Sequence, residues 1–191
     1  MGGTIPFSTL RELSRTITYS IPSLALLWYL ITDRKGISAI DEIKPNKTDL
    51  LSFGIGFPGL IVISFFISFL AWFLSPYLGL AASPKVEGPS NVAGYIVLVF
   101  SCLGTGYLEE SYFRYYLLSR LESAVPNTII RIAVSTLLFS FCHLHEGLWG
   151  IINSVLAGVF LSILFIRYKS IHGLAWAHGA YNLFVYSMGV F

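Results

Sequence analysis

Three short groups of polar residues interrupt an otherwise apolar chain. Glu109-Glu110-Ser-Tyr-Phe-Arg114 closes the hydrophobic run from Tyr95 to Leu108, His143 follows Phe139 by four residues, and His178 precedes Asn182 by four. An ionisable group at membrane depth costs about 3 kcal/mol or more, so such groups mark functional sites by default. Glu110 and Arg114, with the acid N-terminal, can pair on one helix face as a structural ion pair. Glu109 points about 100° away around the helix and is left for general-base work. Phe139 shares the face of His143 and can shield it from lipid. His178 and Asn182 share a face, and both can donate hydrogen bonds to a developing oxyanion. The plainer readings are a satisfied core histidine for His143 and a helix–helix hydrogen bond for His178 and Asn182. No strong nucleophile of the Ser-His-Asp kind accompanies the set. A chemistry that fits is attack of water on an amide: Glu109 and His143 polarise the water, and His178 with Asn182 holds the tetrahedral oxyanion. Exclusion of bulk water strengthens each of these interactions.

Positioning such a set requires helices in lipid. Hydrophobic residues make up 55% of the 191 residues and charged residues 12%, with a mean hydropathy of +0.72. A soluble domain carries about 25% charged residues, so the expected class is all-α, a multi-pass transmembrane bundle of about six helices. Hydrophobic stretches lie near 16–32, 51–76, 93–121, 128–145, 147–168 and 171–190. The first is short and holds Pro22, so it is expected to be tilted, interfacial or marginally spanning. Arg11 and Arg15 precede it, but no small-x-small cleavage site follows, which argues for a retained helix. The third stretch is expected to run past Glu109 to a turn near Pro126, and the next helix to return through Ile129 to His145. Glu109 and His143 are equidistant from Pro126 in sequence, so an antiparallel hairpin brings them to similar depth. His145 and Glu146 then fall near the helix end at the interface, and His172 is incidental. The net charge of +2 comes with no basic run, so nucleic acid is not a predicted partner. Cys102 and Cys142 form no metal-ligand cluster and read as two buried apolar thiols.

Glu109-Glu110-x-x-x-Arg114, Phe139-x-x-x-His143 and His178-x-x-x-Asn182 together resemble the three motifs of the CPBP family. That is the CAAX-protease and bacteriocin-processing (Abi) family of intramembrane glutamic endopeptidases, which includes the type II CAAX prenyl endopeptidases. The resemblance covers roughly residues 93–190. It implies a multi-pass peptidase with no metal and no other cofactor, acting on a peptide or protein substrate. It further implies that Glu109 and His143 activate water, that His178 and Asn182 form the oxyanion hole, and that Glu110, Arg114 and Phe139 support them. Tyr115 stands where many members have Gly. Residues 1–92 are expected to be subfamily-variable membrane helices and residues 93–191 the catalytic core.

Lys and Arg set the orientation. With six spans, nine of them fall in loops one, three and five and three on the opposite side, which places the 114–131 connection in the cytoplasm. A site opening on that side would favour substrates arriving from the cytoplasmic leaflet. Prenylated CaaX proteins, bacteriocin or pheromone leaders and C-terminal sorting tails all remain open as substrates. Three other classes stay in view. They are a metal-dependent membrane protease with Glu109, His143 and His178 as ligands, a non-catalytic scaffold or bacteriocin-immunity protein, and a proton-coupled carrier.

Overall fold

The computed structural model describes residues 4–35, 44–78 and 85–188. Parts of the polar loop 33–50 and of the turn-rich stretch 83–92, together with the side chains of Arg34, Lys35 and Lys85 used in the charge count, lie outside the described residues. The described residues are almost entirely helical and form six rods. The first joins α1 (Thr9–Arg15) through a π-helical segment (Thr16–Ser20) to α2 (Ile21–Lys35), and the second is α3 (Lys47–Leu78). The third joins α4 (Val92–Glu110) through a second π segment (Ser111–Leu118) to α5 (Ser119–Ala124). Then come α6 (Thr128–Phe141), α7 (Gly147–Tyr168) and α8 (Ile171–Met188). A two-residue parallel pairing of Thr4–Ile5 with Lys85–Val86 ties the N-terminus to the segment before α4. Lys47–Leu78, Val92–Ala124 and Leu144–Tyr168 are long and apolar enough to cross a membrane.

The solvent these helices were built for is legible in α3. Its buried positions include Asp49, Ser52, Gly56 and Ser64, whereas Val62, Phe65, Phe66, Phe69, Trp72 and Phe73 are exposed. A water-soluble helix shows the reverse. In lipid, small and polar residues go to the helix contacts, where close approach and hydrogen bonds supply the attraction. The indole N–H groups act this way: Trp28 donates to Ser111 Oγ (3.2 Å), Trp149 to Ser75 Oγ (2.9 Å) and Trp176 to the Tyr107 hydroxyl (2.8 Å). At one end, the Asp49 carboxylate accepts from the Asn46 N–H and the Ser170 hydroxyl, joining the start of α3 to the start of α8. The core runs through Leu60 of α3, Leu161, Leu164 and Phe165 of α7, and Leu174 and Tyr181 of α8.

Two local expectations, the end of the helix before His143 and the burial of Cys142, are corrected. Residues 9–35 form one rod, with Pro22 in the first turn of α2 directly after the π segment. Proline lacks an N–H to give to the preceding turn, and the wider π turn comes just where that bond is missing. The helix before His143 ends at Phe141, not at His145. Residues 144–146 form a 3-10 turn, and Gly147 has φ +80°, a conformation that favours glycine. Cys102 is buried, but Cys142 is exposed.

Rods 9–35 and 92–124 lie side by side and start at the same end. Gly94 faces Phe7 and Thr9, Ser101 bonds Glu12, and Ser111 bonds Trp28. α4 and α8 meet through glycines. A Cβ on Gly106 would lie 2.6 Å from the Ala175 carbonyl oxygen and 2.9 Å from the Gly179 nitrogen. Both are backbone atoms that cannot rotate away. Gly106→Ala is therefore expected to push the two helices apart and to cost about 1–3 kcal/mol, as overpacking does. Thermal unfolding in detergent reads this as a lowered midpoint; an unchanged midpoint contradicts the close crossing.

Candidate active site

The close α4–α8 crossing sets Glu109 and Glu110, at the end of α4, against His178 of α8. Glu110 is fully buried and its Oε1 is shared. Arg114 Nη1 donates to it at 3.1 Å and His178 Nδ1 at 2.7 Å. A carboxylate can only accept, so Nδ1 carries the hydrogen. His178 Nε2 then points toward Glu109, 3.6 Å from its Oε2. The pairing of Glu110 with Arg114 is present as the spacing suggested, and the bond from Glu110 to His178 is an addition the sequence did not reveal.

The π segment carries Arg114 into the bundle. Ser135 Oγ of α6 donates to the Phe113 carbonyl at 2.8 Å, tying the π segment to α6. Arg114 is fully buried, its guanidinium carbon lies 4.3 Å from the centre of the Phe139 ring, and Nη2 reaches the Gly158 carbonyl at 3.5 Å. Phe139 is thus a hub. Its ring centre lies 4.6 Å from that of His143 and 6.0 Å from that of His178.

His143 is held in the turn after α6. Its Nδ1 lies 3.0 Å from the Phe139 carbonyl oxygen. The carbonyl can only accept, so Nδ1 donates and Nε2 bears the lone pair. Glu146 Oε1 is 4.0 Å from that Nε2 and 4.0 Å from His145 Nε2. The 3-10 turn therefore brings Glu146 and His145, expected at the interface, to the edge of the site. His172, expected to be incidental, is buried, bonds the Tyr107 hydroxyl at 2.9 Å and stacks on Trp176.

Glu109, His143, His178 and Asn182 all line one cavity of about 420 Å³. Asn153 and Tyr181 lie in its buried floor, joined by a 3.1 Å bond from Asn153 Nδ2 to the Tyr181 hydroxyl. An asparagine within the apolar α7 was the available signal for this floor, by the same reasoning that singles out Asn182. Every one of these polar residues falls in a continuous stretch that can be compared with known proteins. Residues 91–184 match the model of the family described as type II CAAX prenyl endopeptidase Rce1-like.

The match covers residues 91–184, just under half of the chain.

The matched family is a protease family, whose substrates are peptides or proteins, and three helices of the chain are long and apolar enough to cross a membrane. No curated protein and no solved structure matches the chain. The cavity is not confined to the Rce1-like segment: Arg11, Glu12 and Arg15 of α1 and Leu60 of α3 also line it. Its exposed lining includes Arg11, Arg15, Cys142 and His145. The two arginines lie where rods 9–35 and 92–124 begin. The 114–131 connection lies at the opposite end of rod 92–124. Among the described residues, no group of three or more His, Cys, Asp or Glu side chains has the arrangement of a metal site.

Proposed function

We propose that this protein is an intramembrane glutamic endopeptidase that hydrolyses a peptide bond near a substrate terminus. The observation that carries the reading is the single cavity into which Glu109, His143, His178 and Asn182 open together. Water sits between Glu109 and the His143 Nε2 lone pair. Glu109 takes one proton as the water oxygen bonds to the carbonyl carbon. The resulting oxyanion is met by the His178 Nε2–H and the Asn182 amide. With Nδ1–H already given to Glu110, a donating Nε2 means the imidazolium form, whose charge suits an oxyanion. Collapse of the intermediate breaks the C–N bond, and Glu109 returns its proton to the leaving amine. Glu110, Arg114 and Phe139 hold His178 and His143 in place and touch no reacting atom.

In this reading residues 93–191 carry the reaction, residues 1–92 are the variable part, and the site lies at membrane depth. The Lys and Arg excess of the 114–131 connection marks its side as cytoplasmic. The family description points to peptides bearing a prenylated cysteine near the C-terminus. The test is cleavage of a short peptide, with and without an S-farnesyl cysteine, by the purified protein in liposomes containing a strong chelator. Cleavage that persists in chelator is the expected result. Loss of cleavage on chelation, restored by zinc, would sink the carboxylate mechanism in favour of metal-activated water.

A further inference from the structure

The wall of the cavity contributed by α1 has its own chemistry. Arg11 and Arg15 are four residues apart on a seven-residue helix, so they share a face. Both line the cavity that holds Glu109, and both keep about half of their side-chain surface exposed, at 52% and 45%. Glu12 lies between them, with Oε1 3.9 Å from Arg11 Nε and Oε2 3.4 Å from Arg15 Nη2. Ser101 Oγ donates to the same Oε2 at 3.0 Å and fixes this carboxylate to α4. One carboxylate against two guanidiniums leaves a net positive charge here, whereas the far wall carries Glu109 and Glu146. A peptide lying along such a cavity meets cations at one end and acids at the other.

We propose that Arg11 and Arg15 form a subsite for the free C-terminal carboxylate of a peptide substrate. The proposal rests on the peptidase reading of the Glu109 cavity and adds the end group that the substrate must carry. Glu12 acts as an internal stand-in that positions both guanidiniums and competes with the ligand. Planar guanidiniums match a carboxylate in two-point geometry, which is why arginine suits this task. This subsite lies outside the segment matched by the family model, which begins at residue 91.

The experiment compares one peptide, with an S-farnesyl cysteine fourth from its end, as the free acid and as the C-terminal amide. Binding to the Glu109→Gln protein in liposomes is read by fluorescence anisotropy, with the peptide confirmed intact by mass spectrometry. The acid is expected to bind about tenfold more tightly than the amide, the scale of one charge-assisted hydrogen-bonded contact. In Arg11→Gln/Arg15→Gln the ratio falls to about one. In Glu12→Gln, which removes the competitor, it rises, and this opposite sign shows that α1 has folded. Equal binding of acid and amide by the parent protein overturns the subsite, as does a ratio that survives loss of both arginines or a failure of the acid to bind. Equal weakening of both forms in the double variant assigns the arginines to lipid headgroups and also overturns it. The ratio needs no hydrolysis, so it stands apart from the peptidase reading, which fails instead if Glu109→Gln cleaves as fast as wild type.

Discussion

Glu109→Gln should lower the turnover of peptide cleavage by about 10²–10⁴-fold, the range of a positioned general base, while leaving the fold intact. The substitution keeps the shape of the side chain and removes its ability to take a proton. Glu109 is the carboxylate that can be lost without dismantling the bundle. Its side chain is 23% exposed toward the cavity, and its nearest charged neighbour is His178 Nε2 at 3.6 Å, too long for a hydrogen bond. Its expected signature is a fall in kcat with little change in KM, since the group acts on the water in the transition state. A variant whose KM rises while kcat holds would make Glu109 a substrate contact instead.

Arg114→Ala should act on stability first. Arg114 and Glu110 have no exposed side-chain surface, and removing one partner leaves the other charge uncompensated in the interior, at a cost of about 3–5 kcal/mol. At 2–4 °C per kcal/mol for a chain of this size, the unfolding midpoint in detergent should fall by about 10 °C or more. Arg114→Lys should recover little of this. An ammonium cannot reach the Gly158 carbonyl and the Glu110 carboxylate as a fork while lying flat on Phe139. Activity should fall further than stability alone demands, because Glu110 would lose the partner that fixes its position against His178. An Arg114→Ala protein with an unchanged midpoint contradicts the buried pair.

These two carboxylates show what a sequence can and cannot give. Spacing within one helix was enough to pair Glu110 with Arg114, because residues four apart share a face whatever surrounds them. Equal separation from Pro126 placed Glu109 and His143 at one depth, and both line the same cavity. Six hydrophobic runs in the sequence correspond to the six rods, three of which are long and apolar enough to cross a membrane. What the spacing did not reveal crosses between helices. The bond from Glu110 to His178 depends on how far α4 and α8 are rotated when Gly106 and Gly179 bring them together. The π segment at 111–118 is held against α6 by the bond from Ser135 to the Phe113 carbonyl, a partner on another helix. Arg11 and Arg15 read as flanking charges because nothing in their own neighbourhood says that rod 9–35 runs parallel to rod 92–124. The break between α6 and α7 did have a local mark in Gly147, which closes the 3-10 turn at positive φ and opens α7.

The most direct measurement is mass spectrometry of a C-terminal peptide incubated with the purified protein in chelator, wild type and Glu109→Gln side by side, at matched folded concentration. The mechanism predicts one new pair of termini, formed by wild type and reduced at least about a hundredfold by Glu109→Gln. Equal product from both proteins, or no cleavage by wild type of any peptide with a free C-terminus, would contradict it.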